Sequence, residues 1–136
     1  MLIVDTNIWL AAADRRSDRH SECSAVLRAH GRELAAPVPV IAEASWLMLD
    51  RLGAGSQNEF LRTVASGRVE HLDLAAADWA RCVELTETYA DMGLDLMDAS
   101  VVALAEARNL ATIATLNRRD FTVVRPRHVE AFELIP

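Results

Sequence analysis

The chain opens on three apolar residues, Leu2-Ile3-Val4, that stop at an acid, Asp5, and pass directly into helical spacing from about Asn7. A short run with no polar alternation reads as a strand buried on both faces, because a half-exposed strand would alternate. Strand followed by helix then recurs. Helical spacing returns over Ser21 to Ala29 and stops at Gly31, and Ala35 to Pro39 predicts a second strand that leads into a helix from about Val40 to Leu52. Gly53-Ala54-Gly55 is read as the end of that helix. Ser56, with Glu59 three residues on, gives the capping-box pattern for the next one, which Gly67 closes. Val69 to Leu74 alternates as a third strand, and Ala75 to Ala90 follows as a helix carrying Trp79, Val83 and Leu85. Leu94 to Asn109 is apolar almost throughout, so it is expected to be a core helix packed on more than one side. Ala111 to Thr115 predicts a fourth strand, and Phe121 to Val124 with Phe132 to Ile135 one or two more. Alternating strands and helices of this kind imply an α/β fold of three layers, α/β/α, with a mostly parallel sheet of four or five strands.

The length, 136 residues, suits a single domain over 1–136. Apolar residues are 51% of the chain but never run unbroken for the length of a bilayer span, so a soluble protein is expected. The first residues lack the basic start of a secretory signal, and the expected address is cytoplasmic. Cys23 and Cys82 stand far apart in helical segments and read as buried free thiols. The net charge is −6, and all fourteen bases are arginine. The absence of lysine excludes the P-loop, Schiff-base enzymes and receiver-type phosphotransfer sites. The acidity argues against coating nucleic acid by charge alone.

Attention therefore falls on the acids. In an open parallel sheet, ligands bind beyond the carboxyl ends of the strands, where Asp5 lies. Alone, Asp5 serves equally well as a helix N-cap. Glu43 has Val40 three positions before it and Trp46 and Leu47 three and four after, an apolar face that acids rarely occupy. Asp98 has Val101, Val102 and Ala105 at the corresponding positions, with Asp95 three residues earlier as the expected N-cap. Past the fourth strand stand Asn117 and, three residues on, Asp120. Carboxylates gathered at one sheet edge repel one another and lose hydration, and a hard divalent cation relieves both penalties. Oxygen donors without His or Cys favour magnesium or manganese over zinc. Such an ion polarises a phosphoryl oxygen and activates water for in-line attack on a phosphodiester.

The stretches Val4-Asp5-Thr6-Asn7, Val40-Ile41-Ala42-Glu43-Ala44-Ser45-Trp46-Leu47, Leu96-Met97-Asp98-Ala99-Ser100-Val101-Val102-Ala103-Leu104-Ala105 and Ala114-Thr115-Leu116-Asn117-Arg118-Arg119-Asp120-Phe121 together resemble PIN-domain ribonucleases, in particular the VapC toxins of bacterial VapBC toxin–antitoxin modules. The resemblance runs along essentially the whole chain. It implies strand order 3-2-1-4-5, with Asp5, Glu43 and Asp98 as catalytic, Mg²⁺- or Mn²⁺-binding acids. A further acid often follows the fourth strand in this family; here Asn117 or Asp120 would complete the metal set. Thr6, Asn7, Thr115, Arg118 and Arg119 would face substrate. The resemblance also implies an RNA substrate, a cognate antitoxin and a homodimer.

Arg118 and Arg119 adjoin Asn117 and are expected to rim the site, because arginine contacts phosphate in bidentate fashion. Arg15 and Arg16 read more simply as solvated loop charges. Trp9 and Trp46, with Leu10, Leu47 and Leu49, exceed what one small core requires; most such residues are core, and some are expected to meet a partner. Two other readings compete. A haloacid-dehalogenase-like phosphatase also begins with strand-then-Asp, but needs a second Asp two residues on and a later Lys, and position 7 is Asn. A non-catalytic PIN-like module that binds protein or RNA keeps the fold and tolerates Asn117, although a scaffold would gain stability by replacing Glu43 and Asp98.

Overall fold

The structure is a computed structural model describing residues 1–136. Five strands, β1 (Leu2–Val4), β2 (Leu34–Pro37), β3 (Val69–Leu72), β4 (Thr112–Ala114) and β5 (Glu133–Ile135), form one sheet in the order β3-β2-β1-β4-β5. Every pairing is parallel. The expected strand order and three-layer class hold. All residues of β1 and β2 are buried, which requires cover on both faces of the sheet. The cover is seven helices: α1 (Thr6–Ala13), α2 (His20–His30), α3 (Val38–Leu52), α4 (Ala54–Ala65), α5 (Ala76–Thr88), α6 (Leu96–Arg108) and α7 (Arg118–Val123). No helix is long and apolar enough to cross a membrane.

The core joins Ile3, Val4, Ile113 and Ala114 of the central strands to Ile8 of α1, Met48 of α3 and a continuous run from Ala99 to Ala105 on α6. That run makes α6 the core helix the composition predicts. Asp95 caps its start, and Asn109 in the left-handed conformation ends it. Cys23 and Cys82 are buried free thiols.

Three expectations are corrected. Helix α3 begins at Val38, not Val40, because Pro39 fits in a first turn whose N–H groups have no intrahelical partner to lose. Helix α4 begins at Ala54, with no side-chain cap: Gly53 alone turns the chain at φ 96°, so Ser56 and Glu59 lie inside the helix. Residues 121–124 are not a strand. Asn117 accepts the Asp120 N–H and starts α7, which carries Phe121 into the core despite the β-branched Thr122 and Val123. Only 133–135 extends the sheet there. Helix α5 carries Trp79 and Val83 as expected; both are exposed, while Cys82 and Leu85 face inward.

Helix α6 is tied to α5 by a bidentate ion pair, with Arg81 Nε and Nη2 each 2.9 Å from a Glu106 oxygen. Both side chains are largely buried, and Glu106 also accepts the Arg127 N–H. Removing Glu106 would leave the largely buried Arg81 guanidinium with only its longer bond to Glu84 (3.3 Å). Glu106→Ala is expected to lose about 2–3 kcal/mol of stability in urea unfolding.

Candidate functional site at the β1–β4 edge

Strand β1 connects on one side to β2, while β4, reached by the chain much later, pairs on the other. Strand order reverses between them, and the residues just past their carboxyl ends meet there. The register pairs Val4 with Ala114, so Asp5 and Thr115 follow side by side.

Asp5 is 3% exposed and fully engaged. Its backbone N–H donates to Ala114 O (2.9 Å), Thr6 N–H donates to Oδ1 (2.7 Å), and the Thr115 hydroxyl and Asn7 Nδ2 donate to Oδ2 (2.7 and 3.1 Å). Asp5 is therefore both N-cap of α1 and floor of the site. Burial pushes its carboxyl above the usual carboxylate range; the bonds from Thr115 and Thr6 oppose this, and the charges of Glu43 and Asp95 add to it. Thr115 passes the arrangement on by accepting the Asn117 N–H (3.0 Å), and Asn7 does so by accepting the Leu116 N–H (2.9 Å).

Asp98, half-buried in the first turn of α6, is pushed up to about 8, mainly by loss of hydration and then by the charges of Asp95, Asp5 and Asp120. Glu43 is half-buried on α3, close enough for its charge to act on Asp5. Acids from four separate stretches of chain thus share one field. Asp95, read from sequence only as a cap, is the strongest charged neighbour of Asp98. The signal for this was present in the Asp-x-x-Asp spacing, which sets both acids on one helical turn.

The loop after β4 is arranged otherwise than expected. Asn117 Nδ2 donates to Asp120 Oδ2 (3.0 Å), and Arg119 Nε donates to Asp120 Oδ1 (3.0 Å). The Asn117 bond, chiefly, holds the Asp120 carboxyl below its ordinary range. Arg118 turns to β5, donating to the carbonyls of Leu134 and Pro136, and does not rim the acids. Arg119 stays at the surface. Trp9 packs on Phe60 in the core, whereas Trp46 is 61% exposed, so the face that carries Glu43 opens to solvent at one end.

A divalent cation is the group such a set would hold. The donors are all oxygen, burial and then their like charges raise Asp5 and Asp98, and the buried Thr6 hydroxyl beside Asp5 has no hydrogen-bond partner. No three acids close on one point at ligand distance. Magnesium keeps several of its waters and needs only one or two direct carboxylates, so the residues fit the group.

A family model described as "PIN domain" matches residues 2–125. The chain belongs to the PIN-domain family. This PIN domain is 30% identical over 135 residues to Ribonuclease VapC26 of Mycobacterium tuberculosis, which spans 99% of this chain and 100% of that protein. Its fold is similar to that of VapC20 of Mycobacterium tuberculosis, described as a sarcin-ricin loop cleaving toxin (TM-score 0.81, 15% identity, covering 88% of this chain and 92% of that one). It is also similar to a chain of a toxin–antitoxin complex from Klebsiella pneumoniae (TM-score 0.66, 24% identity, 91% and 92% covered).

The raised acids give a pH dependence to the metal-free PIN domain. Between their unfolded value of 3.8 and their raised folded values, Asp5 and Asp98 bind more protons folded than unfolded, so stability falls as pH rises through that window. Asp98→Asn is expected to flatten this fall and to be more stable than wild type at pH 8 by on the order of 1–2 kcal/mol, discounted for partial exposure. Chemical unfolding in EDTA at pH 5 and pH 8 measures it; an unchanged slope in the variant would contradict the assignment.

Proposed function

We propose that the chain is a divalent-metal-dependent endoribonuclease, the toxin of a toxin–antitoxin pair, which hydrolyses RNA phosphodiester bonds. The observation that carries the reading is the convergence of Asp5, Glu43 and Asp98, with Asp95, in one field at the β1–β4 edge. The ribonuclease name of the relative that aligns with nearly the whole chain supports the activity, and the toxin–antitoxin titles of similarly folded proteins support the setting.

Asp5, Glu43 and Asp98 would hold Mg²⁺ or Mn²⁺, and the ion would supply positive charge to a phosphoryl oxygen and acidify water for in-line attack. Asp5 is oriented by the three donors already bound to it, so little reorganisation is needed on loading. Asp98 would release its proton as the cation binds, since a ligand must be ionised. Asn117 and Asp120 would act together: Asn117 brings an oxygen without charge, and Asp120 adds a negative field from the next turn. Thr6, Asn7 and Thr115 would shape the seat for the phosphate, and Arg119 would meet the backbone further out.

An antitoxin and a second copy of the chain are part of this reading. The exposed pairs Trp46 with Leu49 on α3 and Trp79 with Val83 on α5 are the kind of apolar surface that partners cover. The rival reading, a binding module without catalysis, leaves the cost of the crowded acids unexplained.

Structured RNA incubated with Mg²⁺ or Mn²⁺ is expected to be cut by wild type, and EDTA should stop the reaction. Asp5→Asn should lose activity on the order of 10³-fold, since the ion contributes several kcal/mol to the transition state. Equal rates in Asp5→Asn and wild type would reject the proposal. Mn²⁺ should also raise the melting temperature of wild type more than that of Asp5→Asn.

A further inference from the structure

Beside the acid cluster lies a cavity of about 240 Å³, lined by the apolar Leu10, Leu52 and Leu116 and the polar Asn7, Asp14 and Arg51. It is a little smaller than the roughly 300–1,000 Å³ clefts that hold drug-sized ligands, and suits one flat heterocycle. Asn7 belongs to both places: its Nδ2 donates to Asp5 and its Oδ1 accepts from Leu116, so cavity and cluster share a wall. A nucleotide bound at the acid cluster would carry a base beside this shared wall.

The polar groups are not spent on each other. Asp14 and Arg51 line one cavity without forming an ion pair. The Asp14 carboxylate receives the Arg16 N–H on Oδ1 (3.0 Å) and keeps its other oxygen open. The Arg51 guanidinium makes no hydrogen bond and stays exposed at the mouth. Opposite charges that line one pocket without pairing suit a ligand that carries both donors and acceptors.

We propose that this cavity is a nucleobase subsite with a preference for guanine, a proposal that rests on the nuclease reading above. Guanine carries adjacent donors, N1–H and the 2-amino group, that suit the Asp14 carboxylate, and adjacent acceptors, O6 and N7, that suit Arg51. Adenine and the pyrimidines satisfy only part of this pattern. The leucines supply the apolar cover that an unstacked base needs, and single-stranded or splayed bases are the ones proteins read in RNA.

The test is cleavage of a randomised RNA pool, with the new ends sequenced, by wild type, Asp14→Asn and Arg51→Met. Wild type is expected to favour guanine at one fixed position relative to the cut. Each variant should lose on the order of tenfold in kcat/KM on guanine sites while still cutting the others. Inosine, which lacks the 2-amino group, should be cut at an intermediate rate by wild type and no differently by Asp14→Asn than guanine is. An identical base profile in all three proteins overturns the proposal, as does a uniform loss of rate or a loss confined to binding a protein partner. If wild type cuts nothing, the nuclease reading fails, and the subsite is decided by NMR titration with guanosine and uridine monophosphates. Guanosine monophosphate should shift the Asn7 side-chain amide and the Leu116 N–H in wild type, and less in Asp14→Asn; no shift, or equal shifts with both nucleotides, overturns it.

Discussion

The hydrogen bond from the Thr115 hydroxyl to Asp5, 2.7 Å long and buried, is the contact on which the site depends. It joins residues 110 positions apart, and it exists because β1 and β4 are adjacent, parallel and in register at Val4 and Ala114. A carboxylate at 3% exposure is tolerable only when its lone pairs are met. The fold meets them with a hydroxyl, an amide and a helix N–H, and the ring of donors fixes where the remaining acids must be felt. From there the order of events is physical. Parallel pairing sets the edge, the edge sets Asp5, and Asp5 raises the energy of every further negative charge brought near it.

Much of the fold was legible from residue pattern. Leu2-Ile3-Val4 before Asp5 announced a strand buried on both faces, and the apolar stretch from Leu94 to Asn109 announced a helix packed on more than one side. The strand order came from the family resemblance, since neighbours in a parallel sheet are set by long crossovers that leave no local trace. Where reading failed, a local rule competed with another. Thr122 and Val123 favour strand, yet the Asn117 cap decided for helix. Ser56 and Glu59 matched a capping box, yet the positive φ of Gly53 had already started the helix.

The candidate site was marked in the sequence by its acids more than by its bases. Asp5 stood out by its place just past the first strand, and Glu43 and Asp98 because acids on apolar helix faces need a reason. Arg118 did not fall where its neighbour in sequence suggested, because the carbonyls of Leu134 and Pro136, remote along the chain, offered it a better set of partners. Asp14 and Arg51 are 37 positions apart and each looks like an ordinary surface charge; only the packing of α1 against α3 puts them on one cavity.

Three helices, α1, α6 and α7, begin at this edge, and their caps are Asp5, Asp95 and Asn117. At a cap, the oxygen that accepts the backbone N–H does the architectural task, and aspartate and asparagine both carry one. Charge and architecture are therefore separable here: one negative charge can be removed or reintroduced during evolution while the helix still starts on the same residue. The amide at 117, seated beside an acid one turn on, holds the start of α7 while bringing no charge of its own.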